Sequence, residues 1–333
     1  MKVVYSPSHQ RHAPERELTR EGFTPYFECP QRAENILQAL REHPVFEIIP
    51  PQAYPAEALL HVHDSGYLHF LEHIYTAWVK AGEPASGVVP VTFAQGGRCP
   101  ADLVNQTGYY CFDTTPIVAD TWTAALAAAH CALSAADLLL GEERTVYALC
   151  RPPGHHAATA QCGGYCYLNN AVLAAARLGW RVALLDIDYH HGNGTQEIFY
   201  TSDQVFFVSL HADPDHQYPF FWGFADERGA GKGEGYTRNL PLPAGTDDRA
   251  YSAALDQTLA LIRDFHPDYL VVSAGFDLLA GDPLGDFAVS LEGLQRIGER
   301  LAGLRLPTLM VQEGGYNLGN LGPAALKLLA PFT

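Results

Sequence analysis

Polar and metal-ligating side chains follow five short apolar segments of the chain. Segments 145–149, 182–185 and 205–210 are followed by RPPGHH, DIDYHHGNG and HAD. Segments 269–272 and 308–311 are followed by SAGFD and QEGGY. Short apolar runs of this kind indicate buried strands, and the ligands of a parallel sheet gather beyond the carboxyl ends of its strands. The pattern therefore predicts one chemical site at one edge of a sheet.

The DIDYHHGNG segment contains ligands for a divalent metal ion. In an extended segment Asp186, Asp188 and His190 project to the same side, because side chains alternate with a period of two. Asp277, from another strand end, would join Asp188 and His190 as a third ligand and leave a coordination position open for water or substrate, as in catalytic zinc sites. Surface turn residues are the alternative interpretation, and the neighbouring histidine pairs favour the metal site.

Two further groups could move protons or stabilise charge. His155 and His156 follow an RPPG turn that would fix both rings at a strand end. A neutral imidazole there can take a proton from water and return it to a leaving amine. Gly314 and Gly315 would give the backbone freedom to swing the Tyr316 phenol into the site, where its O–H could donate to an oxyanion.

The elements that must position these residues are those of an α/β fold. Apolar faces predict a helix over residues 251–265, capped by Asp247 or Asp248, and a helix over residues 291–304, capped by Ser290. Apolar strands that alternate with helices indicate a mostly parallel sheet with helices on both faces.

The N-terminal third departs from this alternation. Helices are expected over residues 30–43 and 66–80, packed on the same sheet. Residues 81–120 are rich in Gly and Pro and have no helical or strand period, but their apolar side chains indicate an ordered insertion that covers a site or meets another subunit. We therefore expect a single domain over residues 1–333 with an insertion at about 81–120.

Composition excludes several classes of function. The chain has 37 Asp+Glu and 21 Lys+Arg, a net charge of −16, which argues against nucleic-acid binding and favours a cationic substrate. Seven cysteines without a C-x-x-C pair indicate reduced thiols, and no signal region precedes the strand-like KVVYS, so we expect a cytoplasmic protein. Segment 121–141 is long enough to span a bilayer, but its His130 and Asp137 predict a buried helix and no membrane association.

Six strings resemble the zinc-dependent histone deacetylase superfamily, and within it the bacterial acetylpolyamine amidohydrolase and class II-like branch. They are RPPGHH, GGYCYLNN, LDIDYHHGNGTQEIFY, SLHADP, SAGFD and QEGGYN. The resemblance covers most of the chain. It implies the arginase–deacetylase fold, hydrolysis of an acetamide to acetate and a free amine, and a homodimer formed through the insertion.

The resemblance also implies two metal ions in each chain. One catalytic zinc would be held by Asp188, His190 and Asp277. A structural potassium ion would be held, largely through backbone carbonyls, by Asp186, Asp188, His190, Ser209 and Leu210.

The resemblance implies a role for each residue around the zinc. His156 would be the general base and acid, His155 its electrostatic partner, and Tyr316 the group that polarises the substrate carbonyl. Asp186 would orient His155, and Asn193 would lie behind His156. Because a carboxylate raises the pKa of an imidazole more than an amide does, we expect His156 to be the more easily neutral of the pair.

The substrate channel is the part of the resemblance that matches least well. Aromatic walls would come from Tyr165 and Tyr218, with Gly164 beside them. At the rim, Glu17 matches a carboxylate of polyamine-cleaving relatives, but Leu284 stands where a polyamine deacetylase carries glutamate. Two more acidic positions of those relatives fall on the uncharged residues Val104 and Thr115, with Asp113 close by.

A small acetylated amine is therefore the favoured substrate. An acetyl-lysine protein or peptide and a secondary metabolite are the alternatives. A two-manganese ureohydrolase would need a DxHxD-type run that this chain lacks. A non-enzymatic acyl-amine sensor would have lost a ligand or the tyrosine, and none of these residues is missing.

Overall fold

The structure is a computed structural model that describes residues 1–179 and 181–333. Its strands are β1 (Lys2–Val4), β2 (Arg16–Thr19), β3 (Gly22–Pro25), β4 (Glu47–Ile49), β5 (Thr145–Ala148), β6 (Val182–Asp186), β7 (Val205–Ala212), β8 (Thr237–Leu242), β9 (Tyr269–Ala274) and β10 (Thr308–Gln312). Its α-helices are α1 (Gln31–Arg41), α2 (Ser65–Lys80), α3 (Thr107–Tyr110), α4 (Thr121–Leu140), α5 (Asn170–Leu178), α6 (Asn193–Phe199), α7 (Asp248–Phe265), α8 (Leu291–Ala302) and α9 (Leu318–Leu329).

Eight strands form one sheet in the order β4-β1-β5-β10-β9-β6-β7-β8. Every neighbouring pair in this sheet is parallel, which confirms the predicted α/β class. The five strands predicted from apolar segments are β5, β6, β7, β9 and β10. They are contiguous in the sheet, so the motifs that follow them meet at one edge.

Helices cover both faces of the sheet. Tyr147 and Leu185 pack with α1, α7, α8 and α9, whereas their neighbours Val146 and Leu184 pack with α2, α4 and α5. Alternate residues of a strand point to opposite faces. Both faces of the central strands are therefore buried, which explains why these segments are continuously apolar.

Helix α4 is the segment long and apolar enough to cross a membrane. An 18-residue window of it is 61% buried inside the structure, and the helix packs against α5 and β5. It is a core helix of a soluble α/β fold, as the sequence predicts.

Both predicted helix caps form. The Asp247 carboxylate accepts the Ala250 N–H at 2.9 Å at the start of α7, and the Ser290 hydroxyl accepts the Gly293 N–H at 3.0 Å at the start of α8. Each cap satisfies a donor that the first helical turn leaves unpaired.

Several elements differ from the expectation. Helix α1 is shorter than residues 30–43: Pro30 lies at its N-cap, and the helix ends at Arg41 with Glu42 at its C-cap. The sequence analysis did not predict the edge strands β4 and β8 or the β2–β3 hairpin. These strands are short or partly exposed, so they lack a continuous apolar run. The 81–120 region is not wholly irregular: it holds α3, and Val88 pairs with Ile117 at its ends.

The caps generate a stability prediction. Replacing Asp247 by Ala should lower the free energy of unfolding by about 1 kcal/mol, because an N-terminal donor of α7 loses its partner. Asp264, an exposed acid in the last turn of the same helix, is the matched control. Asp264→Ala should cause no loss, since an acid near a helix C-terminus opposes the dipole. Urea midpoints measure both, and equal losses would contradict the capping role.

Candidate active site

Asp188, His190 and Asp277 converge at the edge of the sheet. Their ligand atoms lie within 4.8 Å of one another. The Nδ1 atom of His190 is 3.3 Å from a carboxylate oxygen of Asp188 and 3.1 Å from one of Asp277. Both aspartates are fully buried, and in the described part of the chain neither has a Lys or Arg within ion-pair distance. Two buried carboxylates this close repel each other unless a cation lies between them, so the donor set fits a divalent metal ion.

Backbone N–H groups orient the Asp188 and Asp277 carboxylates by hydrogen bonding to them. Strand β6 ends at Asp186, so Asp188 and His190 lie in the following loop rather than in the extended segment that the sequence predicts. They still converge, because Asp188 accepts the His190 N–H at 2.9 Å and the Gly314 N–H at 2.8 Å. Asp277 accepts the Tyr189 N–H at 2.9 Å.

Glycine is required at position 314 for a reason other than the predicted freedom of the Tyr316 backbone. A Cβ atom on Gly314 would lie 2.2 Å from Asp277 Oδ2 and 2.6 Å from Asp188 Oδ2. The position therefore needs glycine for close approach to the carboxylates, rather than to let Tyr316 swing. Gly315, with φ +111°, is the residue whose backbone conformation favours glycine.

The histidine pair lies beside this cluster, with ring centroids 4.0 Å apart. His155 Nδ1 is 3.0 Å from the Asp186 carboxylate, whereas His156 Nδ1 is 2.7 Å from the amide oxygen of Asn193. The partners are those that the sequence analysis expects.

The two rings have opposite pKa shifts. Burial lowers the pKa of His155, but the carboxylates of Asp188 and Asp186 outweigh burial and raise it to about 10. The pKa of His156 lies well below its usual range because of burial, then because of the neighbouring positive charges of His155 and His190. His156 is therefore the more easily neutral ring, in the order predicted.

Two buried acids that the sequence analysis missed hold the motifs in place. Glu313 accepts the Gly154 N–H at 2.7 Å and the His155 N–H at 3.2 Å, which ties the QEGGY loop to the histidine pair. Asp282 accepts the Tyr316 N–H at 2.6 Å. Both acids occur within motifs beside the predicted site, QEGGYN and GDPLGDF, but nothing in their spacing identifies their backbone partners.

A cavity of about 360 Å³ leads from the surface to the histidines and the tyrosine. All five predicted substrate-contacting residues line it. With them the lining includes His156, His190 and Tyr316 from the chemical cluster and Asp113 and Thr115 from the insertion. His155, Asp186, Asn193, Asp188 and Asp277 are not part of this lining and lie behind it.

The Asp113 carboxylate, which the sequence analysis did not name as a site residue, connects the insertion to two residues that line the cavity. Asp113 Oδ2 accepts the Tyr218 hydroxyl at 2.9 Å and the Gly164 N–H at 2.8 Å. Thr115 accepts the Tyr165 N–H at 3.0 Å. Val104, in contrast, packs on the hydrophobic core and does not line the cavity.

The residues expected around potassium also lie together. Asp186 of β6 is paired in register with Ser209 of β7, and Leu210 follows in the same strand. The Ser209 hydroxyl is 2.7 Å from His211 Nδ1. Coordination of potassium by these residues stays a prediction.

Known proteins resemble the chain over its full length. The Histone deacetylase domain matches residues 26–331. Acetylpolyamine amidohydrolase 1 of Pseudomonas aeruginosa is 43% identical over 100% of this chain and 99% of its own. The acetylpolyamine amidohydrolase of Mycoplana ramosa is 40% identical over 97% of this chain and 96% of its own.

Solved structures resemble the fold as well. The acetylpolyamine aminohydrolase of Burkholderia pseudomallei superposes with a TM-score of 0.96 at 38% identity, covering 100% of this chain and 98% of that one. The HDA15 HD domain superposes with a TM-score of 0.81 at 30% identity, covering 99% of this chain and 90% of that one. The chain therefore belongs to the histone deacetylase family and is a deacetylase with the arginase–deacetylase fold.

Proposed function

We propose that this protein removes the acetyl group from an acetylated aliphatic amine, an acetylpolyamine or a short acetylated diamine, and releases acetate and the free amine. One observation carries the proposal: the buried His156 imidazole, the Tyr316 phenol and His190 of the three-residue metal-ligand set line one cavity, with Asp188 and Asp277 directly behind it. The relatives named acetylpolyamine amidohydrolase support this substrate class.

Asp188, His190 and Asp277 would hold one zinc ion. When bound, zinc supplies a Lewis acid that polarises the amide carbonyl and acidifies water. Asp186, Asp188, His190, Ser209 and Leu210 would hold a potassium ion behind it.

His156 moves the protons. The bond between its Nδ1 and the Asn193 amide oxygen requires hydrogen on Nδ1, so the neutral ring has its lone pair on Nε2. Nε2 takes a proton as water attacks the amide carbon, and later gives one to the amine nitrogen as the C–N bond breaks. Burial, and then the positive charge of His155, which Asp186 holds in place, keep the pKa of His156 low and its ring neutral.

Tyr316 stabilises the charge that develops on the carbonyl oxygen, by donating its O–H. Burial keeps the pKa of this phenol well above its usual range, so it remains a donor. Tyr165, Tyr218 and Gly164 line the channel. Such a channel would admit the unbranched aliphatic chain of the substrate. Glu17 and Leu284 lie at its rim, where Glu17 supplies a negative charge for a distal ammonium group.

A substrate panel tests the proposed function. Acetylputrescine, acetylcadaverine and acetylspermidine should be hydrolysed faster than an acetyl-lysine peptide, because each carries a distal ammonium group that Glu17 in the cavity lining can attract. A zinc chelator should abolish turnover, zinc should restore it, and His156→Ala should be inactive. Turnover of the peptide alone would overturn the substrate class, and two manganese ions per chain in place of one zinc would favour a ureohydrolase.

The role of His156 generates a pH prediction. Asn193→Asp places a carboxylate against Nδ1 and should raise the pKa of His156. Since the base acts in its neutral form, the acidic limb of the kcat/KM profile should move to higher pH, by about one unit or more. Asn105→Asp adds the same charge at an exposed position and should leave the profile unchanged. An unmoved profile in Asn193→Asp would contradict the assignment.

We also propose that the protein is cytoplasmic and forms a homodimer through the insertion. Two apolar side chains of the insertion face solvent in the single chain and could pack against a partner: Val91 is 94% exposed and Phe93 is 41% exposed. Light scattering at micromolar concentration should give twice the 36.4 kDa chain mass. The double variant Val91→Asp, Phe93→Asp should scatter as a monomer, and a monomeric unmodified protein would refute the dimer.

A further inference from the structure

The mouth of the cavity carries opposite charges at two depths. Glu17, 8% exposed, lies in β2, where its carboxylate accepts the Phe27 N–H at 3.0 Å. Arg20, three residues along the same hairpin, is exposed in the turn between β2 and β3. Both side chains line the cavity. The inner position is therefore anionic and the outer position is cationic.

The Arg20 side chain contacts the Phe220 ring but forms no ion pair in the described part of the chain. Its guanidinium carbon lies 5.4 Å from the centroid of the Phe220 ring, within the range of a cation–π contact. In the described part of the chain Arg20 has no carboxylate within ion-pair distance. A guanidinium stacked in this way keeps its N–H groups free for a planar anion such as a carboxylate.

The ring that supports Arg20 is held in an unusual backbone conformation. Phe220 has φ +64°, which residues other than glycine rarely adopt. Strained residues of this kind concentrate at binding sites, where the surrounding structure maintains them. The loop thus presents Phe220, and with it Arg20, to the mouth of the cavity.

We propose that Arg20 forms a carboxylate-binding subsite, and that this deacetylase accepts free acetylated diamino acids such as Nε-acetyl-lysine. The acetamide would enter the channel, the α-ammonium would meet Glu17, and the α-carboxylate would meet Arg20. This inference rests on the proposed deacetylase function and adds a substrate class to it.

A matched pair of substrates and a matched pair of variants isolate the subsite. Nε-acetyl-lysine differs from acetylcadaverine only by its carboxylate, so the ratio of their kcat/KM values measures recognition of that group. Arg20→Gln should lower the ratio about fivefold, the effect of a partly exposed charged contact. Arg16→Gln is the control, since Arg16 also stacks on a phenylalanine of this hairpin, Phe23, but does not line the cavity.

The outcomes separate this inference from the proposed function. No turnover of Nε-acetyl-lysine by the unmodified protein, or an unchanged ratio in Arg20→Gln, would overturn the subsite while acetylcadaverine turnover still upheld the function. If neither these two compounds nor the other acetylated amines of the panel are hydrolysed, the proposed function fails, and calorimetric affinities of acetylcadaverine and Nε-acetyl-lysine then test the subsite. Tighter binding of Nε-acetyl-lysine that is lost in Arg20→Gln but kept in Arg16→Gln supports it, and equal affinities refute it.

Discussion

Mutual repulsion of Asp188 and Asp277 is the constraint on which the site depends. Both carboxylates are fully buried and both approach the same imidazole nitrogen. Burial raises the pKa of Asp277 to about 7, and the charge of Asp188 adds to that rise. A divalent cation relieves this cost, so metal binding and the stability of the loops around it are linked. Backbone N–H groups offset part of the cost without a metal, by donating to both carboxylates.

The same loops are connected to one another by acidic side chains that accept hydrogen bonds from the backbone and the side chains of the site. Glu313 links the tyrosine loop to the histidine pair, Asp282 holds the Tyr316 backbone, and Asp113 joins the insertion to two channel walls. Each acid accepts backbone or hydroxyl hydrogens from a segment distant in the sequence. Preorganised donors and acceptors of this kind lower the cost of reaching the transition state.

The central strands were predictable because each is buried on both faces and is therefore continuously apolar. The caps at Asp247 and Ser290 were predictable because side-chain capping depends only on nearby residues. The edge strands β4 and β8 were not, since partial exposure and, in β8, a proline remove that pattern. The conformation of residues 187–190 was predicted as extended and is a loop, because Gly314 and Asp277, from other segments, direct it.

The sequence by itself determined the fold class, the three side chains that converge as candidate metal ligands and the different partners of the two histidines. These follow from residue type, local spacing and the motifs that carry the family resemblance. Only the tertiary structure decided which acids hold the backbone of the site, why Gly314 must be glycine, and that Arg20 stands over Phe220 at the mouth. Those contacts join residues far apart in the chain. Their geometry depends on how the elements pack, and a local sequence pattern does not specify that packing.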